Sequence, residues 1–295
     1  MAAKILDGKA IAQDIRAELK ARVTELKKQG VVPGLGVLLV GDDPASRSYV
    51  TAKEKACEET GLYSREIKLP ATASYKEILD VVKAFNADNQ IDGILVQLPL
   101  PDSSMEQSVI EAINPDKDVD GFHPVNVGRM MLGLPAFLPC TPHGVLQILK
   151  RSGIKTDGAH VVVIGRSNIV GRPLVNLLSQ KSDPGNATVT MCHTRTKNMA
   201  ELTRQADIIV AAVGRPNTVT ADMVKPGAVV IDVGVNRVTD ATAKAGFRLK
   251  GDVDFEAVAQ KASAITPVPG GVGPMTITML LANTVESAVR RHGVK

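Results

Sequence analysis

The chain has 295 residues, of which 44% are hydrophobic and 22% charged, and its formal net charge is +4. This is the composition of a globular protein large enough for two domains. Aromatic residues make up only 3% and the basic residues are spread along the chain, which excludes the dense cationic and aromatic surface typical of nucleic-acid binding. The apolar runs are too short for a membrane span or a signal core, so we expect neither.

The predicted elements of the first half alternate between helix and strand. Asp7 is expected to cap the first helix, and Gly30 to end it. In order, the predictions are helix 7–30, strand 36–40, helix 46–59, strand 64–69, helix 75–86 and strand 93–97. This alternation is typical of parallel sheets built from βαβ units.

A second unit is predicted to begin near Thr141, after a proline-rich segment. Its predicted strands are 160–164, 187–191, 207–212 and 228–232, and three of them are dense in Val and Ile, as sheets covered on both faces require. A last helix is predicted at 275–291 and is expected to pack back on the first unit. The sequence therefore predicts two α/β domains, one of residues 1–140 plus 275–295 and a Rossmann-like one of residues 141–274.

The cysteines and histidines indicate neither disulfides nor a metal site. Cys57, Cys140 and Cys192 are far apart, and an odd, sparse count favours a reducing cytoplasm. The five histidines show no ligand spacing. We therefore expect a cytoplasmic protein that uses no metal.

The segment after strand 160–164 predicts a nucleotide-binding turn. Gly165–Gly171 forms a glycine turn before a helix, where a parallel sheet places the phosphates of a dinucleotide on the helix N-terminus. The motif departs from GxGxxG because Ser167 stands where the second glycine would be. An ordinary tight strand-to-helix turn is the alternative.

The end of the next strand favours NADP over NAD. An NAD site usually has an acidic residue there for the ribose hydroxyls, whereas this chain has His193, Thr194 and Arg195. Together with Arg166, these groups suit a ribose 2′-phosphate, although solvated loop cations are the alternative. Small residues at later strand ends would let the nicotinamide and its ribose approach closely: Val213, Gly214, Gly234 and Val235.

A second group of residues predicts acid–base chemistry. Tyr49 and Lys53 are four residues apart and share one helix face. Apolar shelter would lower the pKa of Lys53, as acid–base catalysis needs, but a lysine stem packed on a surface tyrosine is the alternative. Gln97, at a strand end, is placed to hydrogen-bond the amine, or is simply a satisfied amide. Asp120 lies in a glycine-terminated turn, where turn capping is the alternative. No residue pattern points to covalent catalysis.

Pro269–Thr276 combines five Gly or Pro residues among eight, directly before the last helix. Such a segment forms a shaped, low-entropy wall for a flat ligand, or only a turn.

Nearly the whole chain resembles the bifunctional methylenetetrahydrofolate dehydrogenase/methenyltetrahydrofolate cyclohydrolase family of one-carbon metabolism. The resemblance rests on Tyr49-Val50-x-x-Lys53-x-Lys55, on the glycine turn, and on the segments 97–101, 118–122 and 269–276. It implies NADP-dependent oxidation of 5,10-methylenetetrahydrofolate to the methenyl form, then hydrolysis to 10-formyltetrahydrofolate. It also implies a cleft between the two domains, a C-terminal helix that crosses back, and a homodimer.

The same resemblance implies roles for individual residues. Lys53 would be the catalytic lysine and Gln97 would tune it, while Asp120 would bind the pterin and Tyr49 would pack on the folate ring. The remaining folate-binding residues would be Leu98, Pro99, Pro267, Pro269, Gly270, Gly271 and Val272. The NADP site would include Gly165, Arg166, Ser167, Val170, Gly171, His193, Thr194 and Arg195.

Two other functions remain open at this point. A shikimate-type NADP-dependent dehydrogenase would share the two-domain plan but would lack cyclohydrolase activity. A catalytically inactive nucleotide- or folate-binding module would bind ligands without turnover, although it would have no need for Lys53, Tyr49, Gln97 and Asp120 together.

Overall fold

The computed structural model describes residues 3–240, 242–243 and 246–294. Its strands are β1 (Lys4–Ile5), β2 (Gly34–Val40), β3 (Tyr63–Leu69), β4 (Gly93–Val96), β5 (His160–Ile164), β6 (Thr188–Cys192), β7 (Ile208–Ala211), β8 (Val229–Asp232), β9 (Asn236–Thr239), β10 (Phe247–Lys250) and β11 (Ala264–Ile265). Its α-helices are α1 (Gly8–Lys28), α2 (Pro44–Thr60), α3 (Tyr75–Ala87), α4 (Glu106–Glu111), α5 (Pro124–Met131), α6 (Cys140–Arg151), α7 (Gly171–Ser179), α8 (Met199–Thr203), α9 (Phe255–Ala259) and α10 (Val272–His292). Short 3-10 helices occur at Ser103–Met105, Pro115–Lys117 and Ala221–Met223.

The chain folds into two compact units. The first unit comprises Gln13–Cys140 and Ile277–Lys295, and the second comprises Met1–Ala12 and Thr141–Thr276. Both are α/β and each contains a parallel sheet, which confirms the predicted fold class.

The sheet of the first unit has three parallel strands in the order β3-β2-β4. The central strand β2 is buried along its whole length, whereas the edge strand β3 is partly exposed. The sequence reflects this, because a strand covered on both faces is apolar throughout. Helix α3 begins with a capping box between Ser74 and Glu77. It packs three buried side chains on the sheet: Ile78, Val82 and Phe85.

The C-terminal part of α10 belongs to the first unit. Ser287 Oγ donates to the backbone oxygens of Asp92 and Asp116, both at 2.7 Å, and Asn283 Nδ2 donates to Val119 O at 2.8 Å. These side chains are buried, so their hydrogen bonds satisfy loop carbonyls that water does not reach. The predicted return of the last helix to the first unit is confirmed.

The sheet of the second unit has six parallel strands in the order β1-β11-β8-β7-β5-β6. The chain moves from β5 outward to β6 and then resumes at β7 on the other side of β5. Strand order therefore reverses between β5 and β7, and ligands of doubly wound sheets bind at the carboxyl ends of the strands at such a point. The turns that follow β5 and β7 contain the predicted glycine turn and Val213–Gly214.

The observed division differs from the predicted domain boundaries near the N-terminus. Residues 3–12 belong to the second unit because β1 pairs with β11 and Lys9 N donates to Gly270 O at 2.9 Å. Met275 and Thr276 also belong there, and the Thr276 hydroxyl lies 3.0 Å from that of Thr141. Residues 1, 2 and 295 of the predicted domains lie outside the described residues.

An antiparallel hairpin of β9 and β10 was not predicted from the sequence. It joins Asn236–Thr239 to Phe247–Lys250, and the Arg237 guanidinium carbon lies 4.7 Å from the Phe247 ring centroid.

Within the described residues, no helix is both long enough and apolar enough to cross a membrane. In the same part of the chain, no group of three or more His, Cys, Asp or Glu side chains is arranged to hold a metal ion.

Candidate active site

A buried lysine lies at the centre of the first unit's candidate site. Lys53 is on α2 and only 7% exposed, and its Nζ donates to Gln97 Oε1 at 2.8 Å. Gln97 directly follows β4, and its backbone N–H donates to Leu38 O at 2.9 Å. Its side-chain Nε2 donates to Leu98 O at 2.6 Å, which leaves the amide oxygen facing Lys53. The hydrogen bond expected from the strand-end position of Gln97 is therefore present.

Burial gives this lysine an unusual acidity. Desolvation lowers the pKa of Lys53, and the nearby Asp120 carboxylate partly opposes that shift. Desolvation also raises the pKa of Asp120 to about 6, with the ammonium of Lys53 opposing. Lys53 therefore exchanges a proton more readily near neutral pH than an exposed lysine, as acid–base chemistry requires.

The turn before α5 contains two aspartates, Asp118 and Asp120, which have different roles. The buried Asp118 carboxylate accepts hydrogen bonds from the backbone N–H groups of Phe122 and His123 at 3.2 and 2.9 Å. Gly121 has φ +74°, and a Cβ there would lie 2.6 Å from Pro139 N. Asp118 is thus the residue that shapes the turn, and Asp120 is the one whose charge is coupled to Lys53.

Two buried cysteines lie near this site, although they were considered above only as markers of compartment. The Cys140 thiol interacts with the Asp120 carboxyl, and burial together with that charge raises the pKa of Cys140 well above its usual value. Burial raises the pKa of Cys57 to about 12. Both are free cysteines, and with such raised pKa values their thiols stay protonated. They therefore serve as apolar packing groups of the site rather than as nucleophiles. Cys57 lies one helical turn after Lys53 on α2, so its spacing could have indicated this position. Cys140 has no such spacing, and its place at the site follows from tertiary burial.

The other predicted residues of the first unit lie on α2 or shortly after β4. Tyr49 is half-buried and stands one helical turn before Lys53 on α2. Leu98 is partly buried against the core, whereas Pro99 is exposed, and the peptide bond between them is cis.

The Pro-Gly segment lies in the second unit, after β11. Pro267 is partly exposed and Pro269 exposed, and the Val268–Pro269 peptide bond is cis. Gly270 has φ +104°, which favours glycine, and Gly271 and Val272 are buried. A Cβ on Gly271 would lie 2.5 Å from Pro267 O, so tight packing explains this glycine whether or not a ligand binds.

The glycine turn after β5 is tightly closed. Gly165 has φ +136°, and a Cβ there would lie 2.2 Å from Ala212 O. Ser167 Oγ accepts from the backbone N–H groups of Val170 and Gly171 at 3.1 and 3.4 Å, so the serine closes the turn that leads into α7. Gly171 itself closely approaches the turn, since its Cβ would lie 2.3 Å from Gly165 O.

The basic residues expected at the nucleotide site are accessible. Arg166, Thr194 and Arg195 are exposed, and His193 is partly buried. His193 Nδ1 accepts from the Arg195 backbone N–H at 3.1 Å, which fixes the loop after β6.

The later strand ends are only partly accessible. Gly214, with φ +72°, and Val235 are exposed, Val213 is partly buried and Gly234 is buried. Asp252, the aspartate that holds these turns, was not predicted from the sequence. It follows a partly exposed hairpin and is part of no local sequence motif.

The second unit has a doubly wound sheet with a glycine turn where the strand order reverses. The first unit is a separate α/β unit with a desolvated lysine. These two features are typical of dinucleotide-dependent enzymes. Two family models match it: the tetrahydrofolate dehydrogenase/cyclohydrolase catalytic domain over residues 6–120, and the NAD(P)-binding domain of the same enzymes over residues 139–292. The chain belongs to the tetrahydrofolate dehydrogenase/cyclohydrolase family.

Individual relatives agree with this assignment. The bifunctional protein FolD of Dehalococcoides mccartyi strain CBDB1 is 59% identical, over 100% of this chain and 99% of the relative. The bifunctional FolD structure from Campylobacter jejuni is 50% identical with a TM-score of 0.92, over 98% of this chain and 100% of that chain. The Trypanosoma brucei FolD structure, complexed with NADP cofactor and inhibitor, is 38% identical with a TM-score of 0.94, over 99% of both chains.

Proposed function

We propose that this chain oxidises 5,10-methylenetetrahydrofolate to 5,10-methenyltetrahydrofolate with NADP and then hydrolyses the product to 10-formyltetrahydrofolate. The observation that carries the proposal is the desolvated Lys53, hydrogen-bonded to Gln97 and coupled to Asp120. The family models support it in both units. We assign folate binding and catalysis to the first unit and NADP binding to the second.

The oxidation transfers a hydride from the bridging methylene carbon to the nicotinamide. The C–H electron pair leaves with the hydrogen, and the positive charge that remains is shared by the two folate nitrogens. No proton is moved in this step, so the protein contributes mainly by positioning the two reactants.

The hydrolysis does require proton transfer. Water adds to the methenyl carbon, the bond from that carbon to N5 breaks, one water proton passes to N5 and the other is released. Neutral Lys53 accepts a proton as water adds and returns it to the leaving nitrogen. The lowered pKa of Lys53 increases the fraction of neutral amine available for this role.

The folate is held by residues around the lysine. The Asp120 carboxylate has two acceptor oxygens that match adjacent N–H groups on the pterin edge. Tyr49, Leu98 and Pro99 supply apolar contact for the ring system.

The exposed basic residues beside the nucleotide turn are the basis of NADP preference. We expect Arg195→Ala and Arg166→Ala each to raise the KM for NADP about ten-fold, since each loses a charge-assisted hydrogen bond to the 2′-phosphate. The KM for NAD, which lacks that phosphate, should change little. Lys197→Ala, an exposed cation in the same loop, is the matched control. If the ratio of the KM for NADP to the KM for NAD is unchanged in both arginine variants, these residues do not bind the 2′-phosphate.

Assembly and compartment follow from the family resemblance. The protein is assigned as a cytoplasmic homodimer, with the dimer formed through the nucleotide domain. The three free, buried cysteines are compatible with a reducing compartment. Sedimentation of the purified protein measures the oligomeric state directly.

The decisive experiment supplies purified protein with tetrahydrofolate, formaldehyde and either NADP or NAD, and follows NADPH and methenyltetrahydrofolate absorbance separately. NADP reduction with little methenyl accumulation is the expected result. NADP reduction with accumulation of methenyltetrahydrofolate would mean that the protein is a dehydrogenase that does not hydrolyse its product. No reduction with either cofactor would overturn the dehydrogenase function in favour of a binding module.

A further inference from the structure

Asp252 is a buried carboxylate that the chemistry above does not use. It is 0% exposed, and it accepts hydrogen bonds from three consecutive backbone N–H groups in the turn after β7. Val213 N and Gly214 N donate to Oδ2 at 2.6 and 2.9 Å, and Arg215 N donates to Oδ1 at 2.9 Å. Successive amides directed at one anion form a compact nest, which fixes the conformation of that turn.

The same carboxylate also holds the turn after β8. Asn236 Nδ2 donates to Asp252 Oδ1 at 2.9 Å, and also to Lys250 O at 3.2 Å. A Cβ on Gly234 would lie 2.2 Å from Asp252 Cγ, so only glycine permits this close approach. One side chain therefore fixes two strand-end turns that were predicted from the sequence to contact the cofactor.

A second buried aspartate holds Asp252 in place. Asp232, at the end of β8, accepts from the backbone N–H groups of Gly234 and Asp252 through Oδ1, both at 2.9 Å, and from Val253 through Oδ2 at 3.0 Å. A Cβ on Gly251 would lie 1.8 Å from Asp232 Oδ2. Asp232 thereby sets the backbone from which the Asp252 side chain projects.

We propose that Asp252, supported by Asp232, is a positioning residue that shapes the 213–215 and 234–236 turns to receive the nicotinamide half of the cofactor. This inference rests on the proposed NADP-dependent function. A buried carboxylate is costly unless its acceptors are filled, and these two are filled mostly by backbone amides. Both turns follow strands on the side of β5 where strand order reverses, which is where such sheets bind their ligands.

If Asp252 has this role, its substitution should lower the affinity of the protein for NADP and for NAD. The nicotinamide half is common to both cofactors, whereas the 2′-phosphate is not. A substitution that disorders the two turns should therefore weaken the binding of both cofactors equally. Arg195→Ala, in contrast, should weaken the binding of NADP alone. The hydrolysis of methenyltetrahydrofolate uses no nicotinamide, so its rate reports whether the rest of the protein is intact.

Asp252→Asn is the test, because it keeps the shape of the side chain but turns an N–H₂ group towards backbone N–H donors. We expect the Kd and KM for NADP and for NAD to rise about ten-fold, with their ratio preserved. Hydrolysis of preformed methenyltetrahydrofolate, assayed without cofactor, should stay within about two-fold of the unsubstituted protein. Asp254→Asn is the matched control, since Asp254 is half-buried and makes no side-chain cap hydrogen bond.

A milder variant keeps the inference testable if Asp252→Asn does not fold. Asn236→Ala removes one of the four donors and leaves the carboxylate, so it should raise both cofactor Kd values about three-fold without affecting hydrolysis. Unchanged cofactor Kd values in the folded variants, or a loss confined to NADP, would overturn the positioning role. Absence of cofactor reduction in the unsubstituted protein would instead overturn the proposed function itself.

Discussion

Lys53→Met is expected to lower the rate of methenyltetrahydrofolate hydrolysis about 10²- to 10⁴-fold, the range for removal of a general acid–base group. Methionine has nearly the length of lysine and suits a buried position, so the packing of α2 should survive. Hydride transfer should retain measurable activity, because no proton moves in that step. NADPH formation and loss of methenyl absorbance, recorded separately, measure the two activities.

Lys55→Met is the matched control for this substitution. Lys55 is two residues further along α2, and its side chain is 76% exposed. The same change of charge and shape there should leave both rates nearly unchanged. Equal loss of both activities in Lys53→Met, with folding and folate binding intact, would contradict the division of roles between the two steps.

Much of the fold was predictable because buried strands and amphipathic helices have local patterns. Continuous apolar runs identified β2, β5, β7 and β8, since those strands are covered on both faces. Asp7 was predicted as the cap of α1, and its Oδ1 accepts from Ala10 N at 3.0 Å. Most boundaries shifted by a residue or two, as with β6 at Thr188–Cys192 rather than 187–191. Helix α10 begins three residues before its predicted start, at Val272.

The strands that were missed depend on pairing partners elsewhere in the chain. The strands β1 and β11 have two residues each, and they exist because they pair with each other and with β8. The β9–β10 hairpin alternates partly buried and exposed residues, so it has no apolar run. Residues 3–12 were consequently assigned to the first domain, although pairing holds them in the second unit.

The candidate site was predictable where one element carries the pattern. Tyr49 and Lys53 lie one turn apart on a single helix, and Gln97 lies at the end of the neighbouring strand β4. The importance of Cys140 and Asp252 arises only from tertiary burial, because neither has a motif or a partner nearby in the sequence. Buried acceptors of backbone hydrogen bonds are in general invisible until the fold is known.

Asp120→Asn is expected to raise the KM for folate in both reactions about 10- to 100-fold, because a charge-assisted pair of hydrogen bonds to the pterin is lost. The amide keeps the shape of the carboxyl, so the turn shaped by Asp118 should remain. Both activities should fall together, unlike in Lys53→Met, since both steps use the same bound folate. Asp116→Asn, an exposed aspartate four residues earlier, is the matched control.

The pH dependence of folate binding separates this role of Asp120 from a purely structural one. Its pKa is raised to about 6, so the carboxyl becomes neutral as the pH falls through 6 and can no longer accept two hydrogen bonds. The KM for folate of the unsubstituted protein should therefore rise below pH 6, whereas that of Asp120→Asn should be high and flat over the same window. Initial rates of methenyl hydrolysis, corrected for the uncatalysed reaction, measure both profiles. A pH-dependent KM that persists unchanged in Asp120→Asn would assign the titration to another group and remove Asp120 from the folate site.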